Sequence, residues 1–230
     1  MTAQLNPRGD VAVLVPAAGS GVRLGPGVPK ALRLLAGEPL LAHAVRRVAA
    51  APSVRSIVVA APADAVEAVR RLLAPVASVT VVPGGTERQD SVAAALAAVP
   101  KDVEIVLVHD AARALAPAEL VEAVAAAVRE GRPAVIPVLP VVDTIKETGP
   151  DGLVLGTVDR SALRRVQTPQ GFHRSVLAAA HAAAADPLTD DAGLVEKAGV
   201  PVCCVPGSEL ALKITRPLDL VIAEALLRVP

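Results

Sequence analysis

Two cations and four glycines lie close together in a segment that directly follows an apolar run. The segment extends from Pro16 to Lys30, contains Arg23, and has neither aspartate nor glutamate. Glycines lack a Cβ, so backbone N–H groups can approach a ligand closely, and such amides together with cations suit a polyphosphate. The segment predicts a phosphate-binding loop; a plain strand-to-helix connection with solvated cations is the alternative. The glycines on which the prediction depends are Gly19, Gly21 and Gly25.

Two familiar phosphate-binding templates do not match this segment. A dinucleotide-binding fold needs Gly-x-Gly-x-x-Gly, but here Gly19-Ser20-Gly21 is followed by Leu24 where the third glycine belongs. The P-loop needs Gly-Lys-Ser/Thr, whereas Lys30 stands between Pro29 and Ala31. The segment therefore predicts a phosphate-binding loop of a third kind.

Short apolar runs rich in β-branched residues alternate along the chain with segments of helical spacing. Runs that are apolar on both faces suit the central strands of a parallel sheet covered on both sides. The order predicts an α/β fold with a doubly wound, mostly parallel sheet and right-handed crossovers, whose ligands bind beyond the carboxyl ends of the strands. The five runs are 11–15, 56–61, 78–82, 104–108 and 134–138.

The helices of this α/β pattern are best seen in the segment 117–131. Pro117 is expected to open this helix and Gly131 to end it, because proline suits a first turn and glycine a C-terminal cap. Its apolar face would consist of Leu120, Val121, Val124 and Val128. Further expected elements are a helix over 173–185, a short helix capped by Thr189, strands over 200–205 and 210–215, and a final helix over 217–229.

The alternation is interrupted after Pro140 by a predicted β-hairpin. Two short strand-like pieces flank the turn sequence Gly149-Pro150-Asp151-Gly152. A projecting hairpin would expose its apolar residues, and such a surface usually marks an interface. We therefore expect residues 139–160 to form a dimerisation arm on a single domain that spans residues 1–230.

The composition argues against several classes of partner. The 230 residues carry 23 acidic and 23 basic side chains, which gives no reason to expect nucleic acid or an anionic membrane as partner. No apolar run reaches the roughly 18 residues of a membrane span, and the N-terminal residues lack the apolar region of a signal peptide. Cys203 and Cys204 are expected to be buried free thiols. A cytoplasmic protein is the expectation.

Several motifs then carry a resemblance that covers nearly the whole chain. The first loop resembles the signature of nucleotidyltransferases that join a sugar or polyol phosphate to a nucleoside triphosphate. The full set, in this order, resembles the 2-C-methyl-D-erythritol 4-phosphate cytidylyltransferases of the non-mevalonate isoprenoid pathway. The combination of HDAAR with TPQ and TDDA is the most specific part. The motifs are PAAGSGVRLG with PK, PGGTERQDSV, VHDAAR, DTIKE, VDRSALRRVQTPQGF, LTDDA and LKITRPLDL.

The resemblance implies three catalytic cations: Arg23 and Lys30, which form a triphosphate-binding pair, and Lys213. Such transfers depend on positioning and charge stabilisation. Gly85 and Ser91 would recognise the cytosine, whereas Thr86 has an alternative role in a capping box with Gln89. Lys213 is expected on the strand 210–215. The residues implied for CTP are Ala17, Ala18, Gly19, Gly21, Gly85, Thr86, Ser91, Asp110 and Ala111.

The resemblance also implies a site for the polyol phosphate. Asp110 would additionally hold Mg2+ or another divalent cation, with a helix N-cap as its alternative. His109 is expected to be structural, since a phosphate nucleophile is already ionised. Thr144 and Arg160 would reach into the site of a partner subunit in a homodimer. The residues implied are Asp110, Arg113, Thr144, Arg160, Thr168, Thr189 and Lys213.

Two other functions compete with cytidylyl transfer to methylerythritol phosphate. One is transfer to ribitol 5-phosphate, which would differ only in the polyol pocket. The other is a catalytically silent nucleotide-binding module, and the presence of Arg23, Lys30 and Asp110 speaks against it.

Overall fold

The structure, a computed structural model, describes residues 2–19, 29–184 and 190–228. Gly21, Arg23 and Thr189, three residues implied for the site, lie outside these ranges. The described residues contain seven α-helices. They are α1 (Leu40–Ala49), α2 (Val66–Leu73), α3 (Arg88–Ala97), α4 (Ala118–Arg129), α5 (Arg174–Ala183), α6 (Asp191–Lys197) and α7 (Pro217–Leu227).

Twelve strands are present in the same described ranges. The first six are β1 (Val11–Pro16), β2 (Leu34–Leu35), β3 (Glu38–Pro39), β4 (Val54–Ala61), β5 (Thr80–Pro83) and β6 (Ile105–Val108). The others are β7 (Ala134–Pro140), β8 (Ile145–Thr148), β9 (Val154–Val158), β10 (Arg164–Val166), β11 (Gln170–His173) and β12 (Val202–Pro206).

The central sheet is mostly parallel, as predicted. Strands β5, β4, β1 and β6 are parallel neighbours in that order, and β7 pairs in parallel with β12. Strand β11 runs antiparallel between β6 and β7, and β10 pairs with the far end of β7. All five apolar runs identified in the sequence are strands of this sheet.

Helices cover both faces of the sheet because β1 is apolar on both sides. Val11, Val13 and Val15 pack into one core with residues of α1, α2 and α4. Ala12 and Leu14 point the other way, into a core with residues of α3, α5 and α6. This two-sided burial confirms the doubly wound α/β fold.

The helix α4 confirms the sequence reading of its apolar face and its end. Its predicted apolar residues are all buried. Pro117 is the residue before the helix, and Gly131 follows it with a φ of 97°. A positive φ is unfavourable for residues with a Cβ, so glycine is suited to end this helix.

Four local predictions are wrong. Helix α3 begins after Glu87, whose backbone N–H donates to Asp90 at 3.0 Å, so the proposed capping box of Thr86 with Gln89 is not formed. Asp190, rather than Thr189, caps α6 and accepts from the N–H of Gly193 at 3.1 Å. Residues 210–215 are not a strand: a short 3-10 turn ends at Ala211, and irregular chain follows. Cys204 is exposed, and both cysteines are free.

The arm is a two-stranded hairpin of β8 and β9 that forms its own small sheet. Its turn contains Gly152 with a φ of 81°, as the turn sequence predicts. Large apolar side chains on and beside it are exposed, namely Val142, Leu153, Val154 and Leu155. The predicted apolar surface is therefore present. Among the described helices, none is both long and apolar enough to cross a bilayer.

Candidate active site

A cavity of about 250 Å³ opens at the carboxyl ends of β1 and β6. It lies where a doubly wound sheet places its ligands. All the described residues that the sequence implied for catalysis and for CTP line it, and they come from separate stretches of chain. These are Ala17, Ala18 and Gly19 after β1, Lys30, Gly85 with Thr86 and Ser91 after β5, Asp110 with Ala111 after β6, and Lys213.

Asp110 is the electrostatic centre of the cavity. Lys213 Nζ lies 2.7 Å from its Oδ2, and the Nε and Nη2 atoms of Arg88 each lie 3.4 Å from its Oδ1. Burial favours the neutral acid, but the charges of Arg88 and Lys213 outweigh this and hold the pKa of Asp110 well below its ordinary value. The carboxylate is therefore ionised, and it pairs with these cations rather than capping a helix.

Lys213 reaches this carboxylate through irregular chain that the protein fastens from two sides. The N–H of Ile214 donates to the carbonyl of Ala112 at 2.8 Å, which places residue 213 beside the turn after β6. The side-chain amide of Gln167 donates to the carbonyl of Ser208 at 2.8 Å and accepts from the N–H of Ser208 at 2.9 Å. A strand is thus unnecessary to deliver the amine, because side-chain and backbone hydrogen bonds hold the segment in place.

Arg88 connects the cavity to a buried charge that sequence reasoning did not select. Its Nη1 donates to Asp191 Oδ2 at 2.6 Å, and Asp191 Oδ1 pairs with His181 Nε2 at 3.0 Å. Burial alone would lower the pKa of Arg88. The two carboxylates raise it by a larger amount, so the net pKa is above its ordinary value and the guanidinium stays charged. The signal that could have found the pair is the joint occurrence of an arginine in TERQD and an acid in TDDA.

The loop after β5 is held by Ser91. The hydroxyl of Ser91 accepts from the N–H of Gly85 and donates to the carbonyl of Glu87, both at 3.2 Å. A Cβ on Gly84 would lie 2.7 Å from Ala18 Cβ, so a glycine is required where this loop meets the loop after β1. Ser91 is buried, and its hydroxyl shapes the wall of the cavity from behind Gly85.

Thr168 and Arg113 act on the site from outside the cavity in this structure. Thr168 Oγ1 accepts from the N–H of Asp110 at 3.0 Å and lies 3.2 Å from His109 Nδ1. Arg113 donates to the carbonyl oxygens of Ala211 and Val166, at 2.6 and 3.0 Å. Both side chains order the walls around Asp110. Their binding of a polyol phosphate stays a prediction.

His109 is fully buried behind the cavity, and desolvation lowers its pKa to about 4. Its backbone N–H donates to the carbonyl of Leu14 at 2.8 Å, joining β6 to β1. A neutral ring with these contacts fits the structural role expected from the sequence.

Thr144 and Arg160 belong to the ends of the arm, away from the cavity lining of this chain. Both are exposed, and Arg160 Nη1 donates to the carbonyl of Val142. These two residues stand apart from the cluster around Asp110, and their role in a partner's site remains a prediction.

The acidic groups of the cavity fit a divalent cation that is held mainly by a nucleotide. Among the described residues, no group of three or more His, Cys, Asp or Glu side chains is arranged to hold a metal. Asp110 and Glu87 line the cavity, and Mg2+ characteristically takes one or two carboxylates together with substrate phosphates. The residues present therefore suit this mode and do not form an all-protein metal site.

The sheet is doubly wound, and its cavity combines a glycine-containing loop, lysines on two sides and a carboxylate. This is the arrangement of a nucleotidyltransferase. The family model described as IspD, 2-C-methyl-D-erythritol 4-phosphate cytidylyltransferase, matches residues 11–229. The chain belongs to this family. It is thus a cytidylyltransferase by family, and the sequence-based resemblance is confirmed.

Individual relatives agree along nearly the full length. The 2-C-methyl-D-erythritol 4-phosphate cytidylyltransferase of Saccharopolyspora erythraea is 60% identical over 222 residues, with 95% of this chain and 99% of that one covered. The enzyme of the same name from Frankia casuarinae is 58% identical over 217 residues, with 94% and 81% covered. A relative of known structure from Thermus thermophilus is 38% identical with a TM-score of 0.77, covering 96% of this chain and 100% of that one.

Proposed function

We propose that this enzyme transfers a cytidylyl group from CTP to 2-C-methyl-D-erythritol 4-phosphate. A phosphate oxygen of the polyol phosphate attacks the α-phosphorus of CTP and forms the new P–O bond. The bond from the α-phosphorus to the bridging oxygen breaks, and pyrophosphate leaves with the electron pair. The product is 4-diphosphocytidyl-2-C-methyl-D-erythritol. Because the attacking oxygen is already ionised, the reaction needs no general base.

The single observation that carries the proposal is the arrangement of charge around Asp110. Lys30 and Lys213 line one cavity from different stretches of chain, and the carboxylate of Asp110 pairs with Lys213 in it. Charge that develops on the transferring phosphoryl group is stabilised by such preorganised cations. Arg23, from the loop outside the described residues, is proposed to add a third cation.

The cytosine base, the triphosphate of CTP and the polyol phosphate are proposed to bind at different walls of the cavity. Gly85 and Ser91 present a backbone group and a hydroxyl suited to the edge of cytosine, while Ala17 to Gly19 offer backbone amides to the triphosphate. Arg113, Thr168, Thr189 and Lys213 are proposed for the polyol phosphate. Thr86 lines the same cavity and is proposed to contact the nucleotide.

Mg2+ or another divalent cation is proposed to bind with CTP, held by Asp110 and the phosphate oxygens. When bound, it would neutralise charge on the phosphates. The chain's own part is to keep Asp110 ionised, which Arg88 and Lys213 do in the structure.

The working form is proposed to be a cytoplasmic homodimer joined through the arm 139–160. The exposed apolar side chains of the hairpin support this, since a projecting apolar surface is costly to leave in water. Thr144 and Arg160 at its ends would then complete the partner's polyol site. The two free cysteines support a reducing compartment.

A pyrophosphate-release assay tests the proposal. With CTP and Mg2+, we expect turnover with 2-C-methyl-D-erythritol 4-phosphate and at least tenfold lower kcat/KM with ribitol 5-phosphate, a loss of roughly 1.4 kcal/mol in transition-state binding. Equal or better turnover with ribitol phosphate would reverse the substrate assignment. CTP binding without any turnover would favour the silent module.

A further inference from the structure

Arg88 is held from both sides by carboxylates, and the side chains of Asp191 and Asp110 are 1% and 12% exposed. Lys213, the other cation on Asp110, is 42% exposed. The Arg88–Asp191 contact is also the shorter one, 2.6 Å against 3.4 Å to Asp110. The guanidinium is therefore anchored at Asp191 and extends from there to the cavity wall.

The pairing with Asp191 is strongly favoured, because a buried carboxylate without a cationic partner is destabilising. His181 Nε2 contacts the other oxygen of Asp191, so α3, α5 and α6 meet at this one carboxylate. Lys213, by contrast, can exchange Asp110 for a phosphate without exposing a buried charge. Arg88 is thus held in place by buried Asp191, whereas Lys213 can change its partner from Asp110 to a substrate phosphate.

We propose that Arg88 is a positioning residue for the reaction: anchored by Asp191, it holds the Asp110 carboxylate at the cavity wall and leaves Lys213 available to phosphate. The inference rests on the proposed function and adds to it two residues that contribute without reacting. If Arg88 lost its charge, Asp110 would be left with Lys213 as its closest cation and would retain the amine.

A double-mutant cycle tests the anchor. For Arg88→Gln we expect kcat to fall roughly tenfold or more, while KM for CTP changes by less than about threefold. Asp191→Asn keeps the size of the side chain and should lower kcat in the same way. The double variant should be no slower than the slower single variant, because Asp191 acts through Arg88. If kcat of the double variant fell by the product of the two single losses, about a hundredfold, the proposed anchoring of Arg88 by Asp191 would be refuted.

Two controls separate positioning from general destabilisation. Arg129 forms a comparable two-point pair with Asp10, at 2.7 and 2.8 Å, beside the opposite end of β1, so Arg129→Lys should leave kcat and KM unchanged. Arg88→Lys keeps the charge and should recover at least a third of the kcat that Arg88→Gln loses. Failure of both expectations would assign Arg88 a purely structural role.

A crystal structure of the Arg88→Gln variant tests the inference without relying on the reaction. We expect the Asp110 carboxylate to turn away from its position in the unchanged protein and stay paired with Lys213. A carboxylate in the original place would overturn the proposal even if the enzyme is active. Loss of the proposed function itself would instead appear as absent turnover in the unchanged enzyme, so the two failures are distinguishable.

Discussion

The pairing of Asp110 with two cations determines the charge that the cavity presents to a ligand. Asp110 keeps its charge despite burial, because Arg88 and Lys213 compensate for the lost hydration. Lys213 is the most exposed member of the group, at 42% against 28% for Arg88, and is proposed to move between carboxylate and phosphate. The sequence singled out Asp110 and Lys213 by family resemblance, but their mutual contact required the structure.

Lys213→Gln tests the catalytic assignment of this amine. We expect kcat to fall by about 10²–10³, the usual cost of removing a preorganised charge from a developing oxyanion. The melting temperature should change little, since the side chain is only partly buried. Steady-state pyrophosphate release and thermal unfolding measure the two effects. Lys101→Gln, at an exposed turn, is the matched control, and equal losses in both variants would contradict the assignment.

The buried ring of His109 predicts a pH-dependent stability. Its pKa is about 4 in the fold and about 6.5 when unfolded, so between these values only the unfolded chain takes up the proton. The free energy of unfolding should therefore fall as the pH drops from 7 to 4, with this histidine contributing about 3 kcal/mol. Urea unfolding at several pH values measures the slope.

His109→Asn is the comparison for that slope. Asparagine can keep a polar atom near Thr168 but does not titrate, so the curve between pH 4 and 6.5 should flatten even if overall stability drops. Carboxylates with lowered pKa values, such as Asp10 and Asp219, act in the same direction but below pH 4. An unchanged slope in the variant would assign the effect to other groups.

Among the secondary-structure elements, the antiparallel strand β11 was not revealed by the apolar pattern. It lies between two parallel strands and brings the motif QTPQ to the cavity wall. Gln170 holds α6 through Asp190 and the N–H of Ala192, at 2.8 and 3.1 Å. Helix α4 packs across the strand so closely that a side chain at Gly171 would meet Val124.

Gly171→Ala tests this close packing. A Cβ there would lie 2.5 Å from Val124 Cγ1 and 2.9 Å from Leu107 Cδ2. Overpacking of this kind costs roughly 1–3 kcal/mol, so the urea midpoint should fall. For Gly156→Ala on β9, no described heavy atom lies within 4 Å of the new Cβ, and the midpoint should stay unchanged. A neutral Gly171 variant would show that α4 can move aside.

The described residues combine the central α/β sheet with the hairpin arm of β8 and β9, which forms a separate sheet. Leu153, Val154 and Leu155 are exposed on that arm, and an exposed apolar patch of this kind usually marks an interface. The proposed dimer would cover them and bring Thr144 and Arg160 to the partner's cavity.

Replacing Leu153 and Leu155 together by serine tests the arm. We expect a monomer in light scattering, because the buried apolar contact is lost, and a strongly reduced kcat, because the partner's site loses its arm residues. Leu218→Ser is the matched control: Leu218 on α7 is 66% exposed, as is Leu155. A dimer that persists in the double variant would place the interface elsewhere.

Much of the fold was readable because local chemistry specifies it. Short β-branched runs such as 104–108 favour covered strands, and Pro117 with Gly131 bounds a helix through backbone constraints. The errors fall where tertiary contacts replace local ones. Residues 210–215 resemble a strand, but the Gln167 side chain bonds the carbonyl of Ala211, and the N–H of Ile214 donates to the carbonyl of Ala112. Asp190, rather than Thr189, caps α6.

The amino-acid order thus specified the α/β class, the family and most of the cavity-lining residues, since these follow from periodicity and from motifs of adjacent residues. The arrangement of charges could not be read from it. Arg88 and Asp191 are 103 residues apart, and their pairing depends on how α3 and α6 pack on one face of the sheet. An ion pair forms only when the two charged groups lie within a few ångströms of each other, and the tertiary packing of the chain determines that distance.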